Sequence, residues 1–145
     1  MKDQLELARS IAYKAHDGQF RRDGITPYIE HPKTVAGIVL KAGLSPQNEC
    51  TALAVAWLHD VLEDTEVTED ELQSLGVDPV IIDYVATLSK NEDEDYDDFI
   101  DRIINSNGSG SIPCIVKGSD ILANLLDAPT ENQVAKYTKA LVRLF

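Results

Sequence analysis

The chain has few cysteines and no long apolar run. Its 145 residues include two cysteines, Cys50 and Cys114, which are too few for a disulfide framework. We expect both to be reduced side chains that pack against apolar neighbours. No stretch approaches the roughly 18 apolar residues that indicate a membrane-spanning helix, and the N-terminal residues contain no apolar signal core. These absences predict a soluble, cytoplasmic protein that does not bind a membrane.

Positive charge is scarce in the middle of the chain. The formal net charge is -12, and between residues 50 and 101 a single cation, Lys90, stands against sixteen acidic side chains. This composition excludes a broad nucleic-acid-binding surface, because phosphate contacts need basic side chains. It still allows a small phosphorylated ligand that a few local cations and a metal ion would hold.

Alternation of apolar and polar residues, the pattern of a β-strand, is also absent. Apolar residues instead recur three and four positions apart, between glycines, prolines and capping residues that mark helix ends. We therefore predict an all-α bundle of about eight helices in a single domain, residues 1–145. The predicted helices cover residues 3–17, 31–42, 45–64, 68–75, 78–89, 96–106, 112–127 and 133–145.

The third predicted helix carries an unusual charged group, His59, Asp60, Glu63 and Asp64. Residues three and four apart share a helix face, so these four should lie within one arc of about 140°. That face has three carboxylates, one imidazole and no cation. Carboxylates this close raise one another's pKa unless positive charge is near. Either the face is fully exposed to water, or a metal ion binds it with further ligands from elsewhere.

Two other positions could supply those ligands. His31 follows a cationic loop, residues 18–30, and opens the second predicted helix. In the seventh helix Lys117, Asp120 and Asn124 form a polar line on an otherwise apolar segment. A buried aspartate must be paired or bound to a metal. Asp120 is therefore either a metal ligand or the partner of Lys117 in an ordinary salt bridge.

Four separated motifs resemble those of the HD superfamily of metal-dependent phosphohydrolases, and more closely the hydrolase domain of the bacterial stringent-response (RelA/SpoT-type) enzymes. The motifs are Ala15-His16-Asp17-Gly18-Gln19-Phe20-Arg21, Pro27-Tyr28-Ile29-Glu30-His31-Pro32, Leu58-His59-Asp60-Val61-Leu62-Glu63-Asp64-Thr65, and Val116-Lys117-Gly118-Ser119-Asp120 with Asn124-Leu125. The resemblance covers almost the whole chain and implies an HD-domain helical bundle. It also implies Mn²⁺-dependent hydrolysis of the 3′-diphosphate of ppGpp or pppGpp, which gives GDP or GTP and pyrophosphate. No synthetase-like domain follows the last motif, so the chain resembles a stand-alone small alarmone hydrolase.

The resemblance implies one bound Mn²⁺ ion per chain and a water activator beside it. Two imidazole nitrogens and two carboxylate oxygens suit such an ion, and the absence of thiolates argues against a structural zinc site. Glu63 or Asp64 would orient or deprotonate the attacking water, with Glu63 the first choice for the base. The implied metal ligands are His31, His59, Asp60 and Asp120.

The resemblance further implies a set of substrate contacts. Arg21 would pack on the base, since a guanidinium stacks as well as hydrogen-bonds, and Arg22 would contact a phosphate. Tyr28 would either line the nucleoside pocket or anchor its loop. Lys117 and Asn124 would support Asp120 and contact the nucleotide. A purely structural role is implied for His16.

One departure from the family pattern keeps other functions open. An arginine commonly follows Asn-Leu in the family, and Leu126 occupies that position here. The alternatives are hydrolysis of an adenine alarmone or NADPH, or nucleotide binding without catalysis, although the Glu63-Asp64 pair speaks against a pure binder. The acidic segment, residues 92–101, is either a solvated loop that leads into a helix or a surface that repels anions or binds a basic partner. Homo-oligomerisation and a cognate synthetase partner are equally open.

Overall fold

A computed structural model describes residues 2–145, and over that range it contains nine α-helices and one 3₁₀ turn, Leu40–Ala42. The only β geometry in the described chain is an isolated antiparallel bridge between Phe20 and Pro27. The all-α prediction is therefore confirmed. The helices are α1 (Lys2–Ala15), α2 (Glu30–Val39), α3 (Pro46–Leu58), α4 (Val61–Asp64), α5 (Glu69–Ser74), α6 (Pro79–Thr87), α7 (Tyr96–Asn107), α8 (Ile112–Leu125) and α9 (Glu131–Leu144).

Helix α3 lies at the centre of the bundle. Its seven residues from Ala52 to Leu58 are all buried, and it packs against α1, α2, α6 and α8. A helix that is apolar on every side has to be enclosed in this way. Helix α8 packs against α2 and α3, and its other neighbours include α9. The mutual packing of α2, α3 and α8 brings three motif-bearing segments together at one place.

The prediction of one continuous helix through His59 and Asp60 is wrong. Helix α3 ends at Leu58, the next two residues form a turn, and the single-turn helix α4 begins at Val61. His59 Nδ1 donates to the Ala56 carbonyl at 2.7 Å, which is the acceptor that Asp60 N–H would use in a continuous helix. The side chain thus competes with the backbone for one carbonyl. Asp60 accordingly has φ -102° and ψ -2°, outside the regular helical range.

The other helix ends agree with the predictions to within a few residues. Helix α2 begins at Glu30, one residue before the predicted start, and α6 is shorter than the predicted 78–89. The Thr68 side chain accepts a hydrogen bond from Glu71 N–H and starts α5 as expected. Gly18 and Gly43 both have positive φ, 79° and 72°, directly after helical segments.

Both cysteines are free, and Cys114 is fully buried. No helix within residues 2–145 is long and apolar enough to cross a membrane.

The two faces of α6 provide a test of the packing. Ile81 is 1% exposed and its neighbour Val80 is 51% exposed. Ile81→Ala should lower the free energy of unfolding by about 2–5 kcal/mol, because it leaves a cavity in the core. Val80→Ala should change it by no more than about 0.5 kcal/mol. Urea denaturation of both variants measures the difference, and equal losses would contradict the assigned orientation of α6.

Candidate metal centre and flanking clefts

Four side chains from three parts of the bundle converge on one point. Asp120 Oδ1, from α8, lies 2.7 Å from His31 Nε2 and 3.4 Å from His59 Nε2. Asp60 Oδ2 lies 3.0 Å from His59 Nε2 and 3.8 Å from His31 Nε2. His31, His59 and Asp120 are buried. The structure thus brings together all four residues that the sequence indicated as metal ligands.

The hydrogen bonding of His59 fixes which ring nitrogen faces this point. Nδ1 donates to the Ala56 carbonyl, so in the neutral ring Nε2 carries the lone pair. Nε2 is buried and has no well-oriented hydrogen-bond partner among the described residues, although the two carboxylates are near. Imidazole ligands usually donate their second nitrogen to a carbonyl in this way. A nitrogen lone pair beside two carboxylate oxygens is a set of donor atoms that fits a divalent metal ion.

The electrostatics of the cluster favour a cation. Burial tends to lower the pKa of His59, but the adjacent Asp60 and Asp120 raise it well above its ordinary value, so these carboxylates favour a positive charge at Nε2, either a proton or a metal ion. Burial tends to raise the pKa of Asp60, and the His59 ring outweighs it and lowers that pKa to about 2. Burial also tends to raise the pKa of Asp120. The Lys117 ammonium lies 2.8 Å from its Oδ2 and holds that pKa well below its usual range. Both carboxylates are therefore ionised near neutral pH.

Glu63 and Asp64, on the short helix α4, form a second acidic group with Asp60. Oxygens of the three carboxylates lie within 4.8 Å of one another. Partial burial, together with the charge of Asp60, raises the pKa of both Glu63 and Asp64. Glu63 Oε1 accepts a hydrogen bond of 2.7 Å from Lys90 N–H. A carboxylate with a raised pKa beside a metal centre is suited to accept a proton from water.

Tyr28 contacts the carboxylates and lines neither of the clefts described below. Its hydroxyl donates to Asp60 Oδ2 at 2.6 Å and lies 3.2 Å from Asp64 Oδ2. The Arg21 guanidinium lies over its ring, 5.5 Å from the centroid. Of the two interpretations of Tyr28, the structure favours an anchor over a wall of the nucleoside pocket.

The buried His16 extends this support to α4. Its ring packs against that of Tyr28 at a tilt of 35°, with the centroids 4.8 Å apart. Nδ1 donates to Gln19 Oε1 at 2.8 Å, and Gln19 Nε2 donates to the Asp64 carbonyl at 2.9 Å. The implied structural role of His16 thus includes holding the end of α4, to which Glu63 and Asp64 belong.

Two arginines line a cleft of about 550 Å³ on the His31 side of the centre. Arg21 donates to Asp127 Oδ2 at 3.0 Å and to Asn124 Oδ1 at 3.3 Å. Arg22 also lines this arginine cleft, and Leu126 lies at its rim, 79% exposed. Asn124 Nδ2 in turn donates to Asp120 Oδ1 at 3.3 Å. One amide therefore links this cleft to the metal centre.

A second cleft, of about 200 Å³, opens beside His59, Asp60 and Glu63. Lys136 Nζ lies 4.5 Å and 4.9 Å from the ring centroids of two tyrosines. Of its cations, the sequence indicated only Lys117 as a site residue. For the other two cations, Lys90 and Lys136, the sequence offered one indication, which is that Lys90 is the single cation between residues 50 and 101. We call this second cleft the lysine cleft. Its further lining residues are Lys90, Lys117, Lys136, Tyr96, Tyr137, Leu88, Phe99 and Val116.

Comparison with known proteins supports the resemblance found in the motifs, although no protein-family model matches the chain. The guanosine-3′,5′-bis(diphosphate) 3′-pyrophosphohydrolase of Haemophilus influenzae is 44% identical over 82 residues, which are 55% of this chain and 11% of that protein. The bifunctional (p)ppGpp synthase/hydrolase SpoT of Escherichia coli is 39% identical over 77 residues, 51% of this chain and 10% of SpoT. The chain thus spans about a tenth of the length of these relatives.

A solved structure of a metazoan ortholog of SpoT that hydrolyzes ppGpp has a similar fold. It superposes with a TM-score of 0.76 at 24% identity, over 97% of this chain and 85% of the other. The predicted resemblance to the stringent-response hydrolase domains is confirmed by the sequence matches, and the helical fold by this structure.

The Tyr28 hydroxyl provides a test of the metal centre. Tyr28→Phe should weaken binding of a divalent ion about 10–100-fold, because Asp60 loses the donor that orients it. Tyr13→Phe is the matched control, since Tyr13 is exposed and only stacks on Trp57. Titration with Mn²⁺ as the probe, followed by electron paramagnetic resonance, measures both. Unchanged affinity in Tyr28→Phe would show that this hydroxyl does not support a metal ligand.

Proposed function

We propose that the chain is a Mn²⁺-dependent hydrolase that removes the 3′-diphosphate of ppGpp or pppGpp. The observation that carries the proposal is the convergence of two imidazoles and two carboxylates, whose facing nitrogen and oxygen atoms lie 2.7–3.8 Å apart. The names of its relatives, most of which act on or make (p)ppGpp, agree with this activity. A cytoplasmic location of this reaction is part of the same proposal.

His31, His59, Asp60 and Asp120 would hold the metal ion. Two nitrogen and two oxygen donors suit Mn²⁺, whereas structural zinc sites usually contain thiolate sulfur, which this set lacks. When bound, the ion polarises the scissile phosphate and lowers the pKa of a water molecule. Lys117 keeps Asp120 ionised through a hydrogen bond of 2.8 Å, and Tyr28 orients Asp60 through one of 2.6 Å.

Glu63 is the residue best placed to take the proton of the attacking water. It lines the lysine cleft beside Asp60, and Lys90 N–H orients one of its oxygens. Asp64 instead lies beside the Tyr28 hydroxyl and is absent from the lining of that cleft. The water oxygen joins the 3′-diphosphate, the bond between phosphorus and the ribose 3′-oxygen breaks, and a proton ends on that oxygen. The products are GDP or GTP and pyrophosphate.

The two clefts would receive the two ends of the substrate. The Arg21 guanidinium, which now pairs with Asp127 and lines the arginine cleft, would stack on a base, and Arg22 would contact a phosphate. On the other side of the centre, Lys90, Lys117 and Lys136 would attract the 3′-diphosphate, which carries concentrated negative charge. These local cations allow a chain with a net charge of -12 to bind a polyanion.

A second candidate substrate class follows from Leu126. Its exposed apolar side chain stands at the rim of the arginine cleft, where the resemblance would place a cation. An adenine alarmone or NADPH would then replace the guanosine nucleotide, with the same metal centre and the same base. The position of Glu63 beside that centre favours either enzyme over a protein that only binds nucleotides.

Release of pyrophosphate from ppGpp tests the proposal. The Mn²⁺-loaded protein should release pyrophosphate and GDP. Asp60→Ala should lower the rate by more than about 100-fold, because loss of a metal ligand lowers activity more than loss of a hydrogen bond to a ligand does. Asp70→Ala is the matched control, because Asp70 is an exposed aspartate on α5. Its rate should equal that of the unmodified protein.

A panel of ppGpp, an adenine alarmone and NADPH separates the substrate classes. Faster cleavage of either adenine compound would favour the second class and implicate Leu126. Binding of ppGpp and Mn²⁺ without release of pyrophosphate from any compound would refute the hydrolase.

A further inference from the structure

The loop between α6 and α7, residues 88–95, lies against the candidate base. Its Lys90 N–H donates to Glu63 Oε1 at 2.7 Å, and the Lys90 side chain lines the lysine cleft. This is the one hydrogen bond that orients the Glu63 carboxylate among the described residues. The direction in which Glu63 points therefore depends on the position of the loop.

A single side chain on α7, Arg102, holds both ends of this loop. Toward the start of the loop it donates to the Thr87 carbonyl at 3.1 Å and the Ser89 carbonyl at 2.9 Å. Toward the end it makes two hydrogen bonds to the Glu94 carboxylate, at 2.8 Å and 3.0 Å. Its guanidinium also lies over the Phe99 ring, 5.3 Å from the centroid.

The loop is further closed from within, because Asn91 N–H donates to Glu94 Oε1 at 3.1 Å. Lys90 thus lies between two residues, Ser89 and Asn91, that are fixed by the same Arg102–Glu94 pair. Glu94 is the only half-buried acid of the acidic segment; the other six are exposed. This agrees with the solvated-loop interpretation for those six and gives Glu94 a separate role.

We propose that Arg102 is a positioning residue for Glu63, acting through Glu94 and the 88–95 loop to hold Lys90 N–H against the carboxylate. The inference rests on the proposed function, in which Glu63 accepts the proton. Arg102 lines neither cleft, and among the described residues it makes no hydrogen bond to a candidate metal ligand. Only a planar guanidinium can bind a carboxylate with two parallel hydrogen bonds and two carbonyls at once, so a lysine should not replace it.

Arg102→Lys tests the inference with two independent readouts. The first is exchange of the Lys90 amide proton with solvent, measured by NMR, which should become at least about tenfold faster as the loop loosens. The second is kcat for ppGpp with saturating Mn²⁺, which should fall about tenfold, the effect of losing one hydrogen bond to a charged group. Mn²⁺ affinity should stay within about twofold, because the metal ligands are untouched.

Two further variants separate positioning from stability. Arg143→Gln is the matched control, since Arg143 pairs with Asp97 and Asp101 of the same acidic segment but contacts no loop residue. It should leave both readouts unchanged. Glu94→Gln keeps the shape of the partner and removes its charge, so it should reproduce the effects of Arg102→Lys in milder form, even where Arg102→Lys fails to fold.

A double-mutant comparison identifies the path of the effect. If Arg102 acts through Glu63, adding Arg102→Lys to Glu63→Gln should leave the residual rate unchanged. The inference would be overturned if Arg102→Lys lowered kcat by the same factor in the unmodified protein and in Glu63→Gln. Unchanged exchange of the Lys90 amide proton in Arg102→Lys would also overturn it. Faster exchange with unchanged kcat would reduce Arg102 to a structural role and overturn it too. If the unmodified protein does not cleave ppGpp, the proposed function fails, and the Lys90 exchange alone then decides whether Arg102 holds the loop.

Discussion

Two ionised carboxylates, Asp60 and Asp120, share a largely buried site with two imidazoles, and the surrounding structure compensates for their charge. Burying a carboxylate is unfavourable unless cations and hydrogen-bond donors surround it. Lys117 and Tyr28 provide such donors at 2.8 Å and 2.6 Å. These partners come from α8 and from the loop before α2, so the site is complete only where these segments pack together. Among the described residues His59 Nε2 has no well-oriented hydrogen-bond partner, and it faces two carboxylates, so a divalent cation would satisfy it.

The break between α3 and α4 shows how local structure serves this site. In a continuous helix the Ala56 carbonyl would accept from Asp60 N–H, and His59 would have no fixed orientation. The His59 ring takes that carbonyl instead, which ends α3 at Leu58. The break directs His59 and Asp60 toward the centre and leaves Glu63 and Asp64 on a separate turn. Local competition for one hydrogen bond thereby separates candidate ligands from candidate water activators.

The sequence was sufficient to predict the helical class and the convergence of His31, His59, Asp60 and Asp120, because these residues stand in recognisable local motifs. It was not sufficient for the helix break, since helical periodicity does not report a side chain that competes for a backbone carbonyl. The lysine cleft was also missed, because Lys90 and Lys136 lie 46 positions apart on a loop and on α9. Only tertiary packing brings them to one cleft. The motif that contains Tyr28 indicated that this residue lies near the site. Its hydrogen bond to Asp60 could not be predicted, because that bond depends on how the loop folds.

Anomalous diffraction at the manganese absorption edge, from a crystal grown with Mn²⁺, tests the central claim most directly. The account predicts one strong peak per chain within about 2.0–2.3 Å of His31 Nε2, His59 Nε2 and an oxygen of each aspartate. A peak at the outer carboxylates of Glu63 and Asp64 alone, or no ordered peak in the protein, would contradict it. In that case the buried imidazoles and aspartates would be a structural hydrogen-bond cluster, and the hydrolytic centre would have to lie elsewhere.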